Sequence, residues 1–146
     1  MSQENVETAR LGYEAFNRGD IDSLLDLCAP DIEWRDFATI DTDTMTGKEA
    51  VRAYFETVME AWEQIRLEPE EIIDLGGDRV VVVSHVTGRG KGSGVEVETR
   101  GADLLTFDGG RLVRWMGYAD RAQALEAVGL SEQDAHAEES SSPSGS

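Results

Sequence analysis

Apolar residues recur at helical spacing in the first part of the chain and at strand spacing in the second. Val6, Ala9, Tyr13 and Phe16 form a stripe with helical period. The stripe ends at Asn17, Arg18 and Gly19, where glycine suits a helix C-terminus. Asp20 then predicts the cap of a second helix that carries Ile21, Leu24, Leu25 and Cys28 inside and is stopped by Pro30. The segment Asp31 to Asp36 alternates like a strand, with Ile32, Trp34 and Asp36 on one face and Glu33 and Arg35 on the other. The polar stretch Ala38 to Thr46 reads as a loop. Gly47 precedes the strongest helical pattern, in which Val51, Tyr54, Phe55, Val58, Met59 and Trp62 make one broad apolar face.

After Gln64 the period changes. Ile65 to Leu75, Arg79 to Gly88, Val95 to Phe107 and Leu112 to Tyr118 read as successive strands. Glycine-rich turns at Gly76-Gly77-Asp78, Gly88 to Gly94 and Asp108-Gly109-Gly110 join them. The run Gly88 to Gly94 lacks phosphate-loop spacing and no helix follows it, so it reads as a hairpin tip. Asp120 predicts the cap of a short helix with Ala122, Leu125 and Val128, ending at Gly129. Three helices with one strand among them, then a four-stranded antiparallel meander, define an α+β fold. A single sheet curled around the long helix buries both apolar faces and leaves room for a cavity at its wide end.

The 146 residues suit one domain over 1–130, followed by an acidic, Ser-rich tail over 131–146 that reads as disordered. The lone cysteine, Cys28, excludes an internal disulfide and reads as a small buried hydrophobe. His85 and His136 are too far apart to suggest a metal site, and no metal or other cofactor is expected. No apolar stretch is long enough to span a membrane and the N-terminus shows no signal region, which points to the cytoplasm. The net charge is −17, and the tail accounts for only Glu132, Asp134, Glu138 and Glu139 of it. So acidic a body argues against nucleic acid and anionic membrane as partners. Arg18-Gly19-Asp20 matches an adhesion tripeptide but reads as a helix junction.

Two acids interrupt apolar strand faces. Asp36 continues the face of Ile32 and Trp34, and Asp103 shares a face with Leu105 and Phe107. A carboxylate among apolar side chains must be paired, hydrogen-bonded or protonated. A raised pKa makes it a general acid, or a neutral donor to an oxyanion. The alternative is a strand-end position, or pairing with Arg35, Arg100 or Arg114. Further pocket candidates are Tyr13, Trp34, Tyr54, Trp62, His85, Trp115 and Tyr118. His85 alternates with Val81 and Val83 and reads either as a pocket residue or as a satisfied core histidine. Trp115 and Tyr118 fall on opposite faces of one strand.

The stretch from Tyr13 to Trp34 (YEAFNRGDIDSLLDLCAPDIEW) resembles the opening of SnoaL-like and ketosteroid isomerase-like domains of the nuclear transport factor 2-like superfamily. Gly47 to Phe55 (GKEAVRAYF) resembles their third helix, and Phe107 to Asp120 (FDGGRLVRWMGYAD) their last hairpin. The resemblance covers about residues 5–130. It implies a cone: a curved antiparallel sheet wrapped around three N-terminal helices, a cystatin-like α+β barrel enclosing an apolar pocket. It implies a cofactor-independent acid–base enzyme, an isomerase, polyketide cyclase or lyase, acting on a small apolar ring-containing molecule. The alternative is a ligand-binding or dimeric interaction module of the same fold. Asp36 matches the family's general base and Asp103 its oxyanion acid, a carboxyl kept neutral to donate a hydrogen bond. Phe55 and Leu105 join the expected pocket lining. The oxyanion tyrosine of the first helix falls at Gly12, with Tyr13 turned by about 100° around the helix. The supporting tyrosine falls at Phe55, beside Tyr54, so the tyrosine network is missing or rebuilt. Epoxide hydrolases of this scaffold use an arginine flanked by acids, but Arg100 and Asp103, three apart on a strand, face opposite ways. The resemblance also implies a homodimer through the outer sheet face, for which Val80, Val82 and Val86 are the candidate contacts.

Overall fold

The computed structural model describes residues 2–36 and 44–130. Most of the loop expected before Gly47, and the whole tail, lie outside these residues. Helix α1 (Ser2–Arg18) and α2 (Ile21–Asp26) lead into strand β1 (Cys28–Arg35) and a two-residue strand β2 (Met45–Thr46). Helix α3 (Lys48–Ala61) follows. Next come the meander strands β3 (Trp62–Gly76), β4 (Arg79–Gly90), β5 (Glu96–Asp108) and β6 (Arg111–Tyr118), and helix α4 (Arg121–Glu126). All six strands form one curved, unclosed sheet in the order β2-β1-β6-β5-β4-β3. The β1–β6 pair is parallel and the other pairings are antiparallel.

Local chemistry explains the joints. Gly19 takes φ 73° and ends α1 in the left-handed region that glycine tolerates. The Asp20 carboxylate then accepts from the Ser23 backbone N–H at 3.1 Å and caps α2. Asp120 does the same for α4 through the Gln123 N–H at 2.9 Å. Helix α1 is pinned along β3 at two points. Asn5 donates to Asp78 at 3.0 Å in the β3–β4 turn, and Asn17 both donates to the Leu67 carbonyl and accepts from its N–H. These contacts fix the rotation of α1 and aim Tyr13, which lies between them, at the sheet.

The inner sheet face packs Ile32, Trp34, Val80, Val82, Leu105, Phe107 and Trp115 against Tyr13, Phe16, Val51 and Phe55 of the helices. A second cluster lies on the outer face, where Ile73, Val81, Val83, Ala102 and Leu104 pack under Ala124 and Leu125 of α4. Burial on both faces corrects several expectations. Val80 and Val82 have no exposed surface and point into the core, so they cannot form an outer dimer contact. Val86 lines the cavity. His85 does share a face with Val81 and Val83, but that face is the outer one, and its Nε2 lies 2.7 Å from Glu98.

Two apolar residues change element. Helix α2 ends before Cys28, which opens β1, and Pro30 lies within that strand rather than stopping a helix. The Cys28 Sγ donates to the Leu24 carbonyl at 3.5 Å, and burial pushes its thiol up to about 12, which leaves it unreactive near neutral pH. Trp62 is extended (φ −115°, ψ 128°) and opens β3 instead of closing the apolar face of α3. Its ring lies on the backbone of Gly88, where a Cβ would come within 3.1 Å of the ring carbons.

Candidate active site

The concave side of the sheet, α1 to α3 and the β4–β5 hairpin enclose a cavity of about 190 Å³. Its wall is mostly apolar and aromatic. Trp34 and Trp115 are direct register partners on β1 and β6, and their rings stack at 4.3 Å and 12°. Phe55 meets Trp34 edge-on at 5.0 Å, and Trp62 forms another wall against Gly88. The polar groups of the wall include Asp36, Tyr54, Ser84 and Asp103.

The two acids expected on apolar faces thus meet in one cavity, each with a tyrosine. The Tyr54 hydroxyl donates to Asp36 Oδ2 at 2.6 Å, and the Tyr13 hydroxyl donates to Asp103 Oδ2 at 2.5 Å. None of the arginines considered as partners reaches them. Arg35 stacks over the Tyr118 ring at 5.3 Å, Arg100 pairs with Glu70 at 2.6 Å, and Arg114 pairs with Glu33 at 3.2 Å. Among the described residues neither acid has an ion-pair partner.

Burial decides the protonation of Asp103. One edge of its side chain faces the cavity and keeps some accessible surface, while the rest of its surroundings is protein. Loss of hydration pushes the carboxyl up to about 7, and the nearby charge of Asp36 adds to the rise. The hydrogen bond from Tyr13, and to a lesser degree the nearby Trp115 indole, favour the anion and limit the effect. Tyr13 is pushed well above its ordinary value, by burial first and then by the Asp103 charge, so it remains a donor. Two carboxyls stand in one cavity, and one of them is half-protonated near pH 7. That arrangement can take a proton at one atom and give one at another.

The expected site residues divide into three groups. Trp34, Asp36, Tyr54, Phe55, Trp62, Asp103 and Trp115 border the cavity. Tyr118 also borders it, but its ring packs into the outer cluster. Tyr13 and Leu105 stand behind the wall, fully within the core, and His85 is outside it altogether. The tyrosine network is rebuilt rather than missing. Tyr13 reaches Asp103 from the position after Gly12, and Tyr54 holds Asp36 from the position before Phe55. The sequence reading missed Ser84 and Gly101, which lie on the inner face beside Asp103. Ser84 carried a signal, since it is the polar member of an alternation with Val80, Val82 and Val86.

A curved sheet around N-terminal helices, with a carboxyl-bearing apolar cavity between them, is an α+β pocket architecture. Residues 9–115 match the SnoaL-like domain family, and the chain belongs to that family. It is similar to an NTF2-like protein of unknown function from Burkholderia pseudomallei K96243, at 27% identity and TM-score 0.74, over 87% of this chain and 98% of that one. An NTF2-like protein from Burkholderia xenovorans LB400 is 30% identical, with TM-score 0.70, over 87% and 97% of the two chains. TerC, co-crystallised with polyporic acid, is 25% identical, with TM-score 0.71, over 80% and 92%. No curated protein matches the sequence significantly. Among the described residues no helix is long and apolar enough to cross a membrane, and no group of three or more His, Cys, Asp or Glu could hold a metal ion.

Proposed function

We propose that this protein is a cofactor-independent acid–base enzyme that moves a proton next to a carbonyl group of a small, mostly apolar ring compound. The observation that carries this reading is the pair of carboxyls in one apolar cavity, neither with an ion-pair partner among the described residues, and with Asp103 pushed up to about 7. Asp36 takes the proton from the carbon adjacent to the carbonyl, and Tyr54 holds its carboxylate in place. Asp103, in its protonated form, donates to the carbonyl oxygen as negative charge develops there. Tyr13 stands behind Asp103 as a positioning residue. The Trp34–Trp115 stack and Phe55 offer flat aromatic surface to a ring. The co-crystallisation of a relative, TerC, with a small organic molecule supports a small-molecule ligand.

A carrier without catalysis would require no particular protonation state of Asp103, and the raised value favours the enzyme. The test needs no natural substrate. Cyclic ketones in deuterium oxide exchange their α-protons, and NMR follows the rate. The wild-type protein should accelerate exchange for at least one ketone, and Asp36→Asn should lose about 100-fold or more of that acceleration. Undiminished exchange by Asp36→Asn would sink the mechanism. The homodimer implied by the family resemblance would have to use the charged half of the outer face, because Val80 and Val82 are inside. Equilibrium sedimentation decides whether it forms.

A further inference from the structure

Ser84 lies on β4 opposite Gly101 of β5, and the next inward pair along the two strands is Val82 with Asp103. Ser84 and Asp103 are therefore diagonal neighbours on the concave face, with Gly101 completing the corner. All three border the cavity. Gly101 leaves this corner open: a Cβ built there would meet nothing closer than the Tyr118 carbonyl oxygen at 3.8 Å. Its backbone is not in the left-handed region, so conformation does not demand a glycine.

Ser84 is 2% exposed, and among the described residues its Oγ has no hydrogen-bond partner. A buried hydroxyl left unpaired is costly, and native structures seldom keep one without a use. The Oγ lies near enough to Tyr13 to favour its anion slightly, without a formed hydrogen bond. The Tyr13 proton is already committed to Asp103 at 2.5 Å, so Tyr13 is not the group that faces a ligand.

We propose that Ser84 is the second hydrogen-bond donor of an oxygen-binding corner, in which an uncharged carbonyl oxygen of the ligand sits between the Ser84 hydroxyl and the Asp103 carboxyl, in the space left by Gly101. A χ1 rotation of Ser84 turns the hydroxyl to the ligand. This assignment rests on the acid–base reading of the cavity and deepens it, because it names the chemical class of the ligand's polar end. Asp36 and Asp103 face the same cavity, and the nearest guanidinium on β5, that of Arg100, is spent on Glu70. A carboxylate-bearing ligand would meet like charge there. A ketone meets donors.

The experiment compares 1-indanone with indane, the same ring system without the oxygen, by quenching of tryptophan fluorescence. The carbonyl stretch of bound indanone is read by infrared spectroscopy. The wild-type protein should prefer indanone. Ser84→Ala should lose about 3- to 10-fold in indanone affinity, as for one neutral hydrogen bond. The same variant should leave indane binding unchanged and move the carbonyl stretch back to higher frequency. Gly101→Ala, which fills the corner, should weaken indanone more than indane. Removing an unpaired hydroxyl should not unfold the protein, and an unchanged thermal transition of Ser84→Ala checks this. Equal preference for indanone in wild type and Ser84→Ala overturns the proposal, as does a wild-type protein that binds neither probe or does not distinguish them. If indanone preference depends on Ser84 while no ketone exchanges its α-protons, the oxygen corner stands and the acid–base reading falls. If exchange is catalysed while the preference does not depend on Ser84, the acid–base reading stands and the oxygen corner falls.

Discussion

Two carboxyl groups on the same sheet, Glu70 and Asp103, have opposite electrostatic fates. Glu70 lies on the charged part of the outer face, where Arg100 hydrogen-bonds to it and holds its carboxyl below the usual range. Asp103 lies on the inner face of the strand that carries Arg100. Among the described residues it has no ion-pair partner, burial removes much of its hydration, and it is pushed up to about 7. Backbone alternation alone separates them: Arg100 points out and Asp103 points in. One strand thus carries an exposed ion pair on one side and a partly protonated acid on the other.

This contrast can be broken in graded ways, and the largest effect concerns rate. Proton transfer on the proposed mechanism needs the protonated form of Asp103, so the rate must fall as pH rises through about 7. Two units above that value the wild-type rate should be down about 100-fold, and a pH–rate profile of ketone exchange measures it. Asp103→Asn should lack this falling limb.

The next effect is on stability. The Asp103 carboxyl titrates near 7 in the folded chain and near 3.8 when unfolded. A raised carboxyl favours folding most below the lower value, and that contribution is lost as pH rises from about 4 through 7. Asp103→Asn should therefore gain on the wild type over that window, by roughly 2–4 kcal/mol at pH 8 relative to pH 4. Denaturant unfolding at the two pH values reads the difference.

A smaller effect comes from Tyr13→Phe. It removes a hydrogen bond that favours the Asp103 anion, so the falling limb of the rate profile should move up, by about one pH unit. The smallest is on the outer face. Arg100→Ala exposes Glu70 to water rather than to an apolar wall, so it should cost less than about 1 kcal/mol and leave the rate profile in place.

The faces of β4 and β5 also show what could be read in the sequence and what could not. Alternation identified the residues that share a side, and Asp36 and Asp103 were both found because each breaks an apolar face. Alternation cannot say which side is the inside when both sides are buried. Val80 to Val83 are all buried, in two different clusters, because α4 covers the outer face at that point. The short helical signal after Asp120 carried no information about what it covers. For the same reason alternation alone cannot tell that His85 faces outward and Ser84 inward. Helix ends failed where one apolar residue suits two elements: Trp62 extends the apolar stripe of α3 by spacing, but its ring belongs on Gly88. The partners of the acids were out of reach because they depend on how the helices sit on the sheet. Asn5 and Asn17 pin α1 to β3 and set Tyr13 beside Asp103, which no count of residues per turn could supply.

The proposed function requires the cavity to keep about half of the Asp103 carboxyl protonated at neutral pH, where an ordinary aspartate is almost wholly ionised. Carbon-13 NMR of the aspartate carboxyls, with Asp103→Asn to assign the signal, measures it directly. A midpoint near 7 is the predicted result. A midpoint in the ordinary aspartate range, near about 4, would contradict the account, because Asp103 would then be an anion at the pH where it is required to donate.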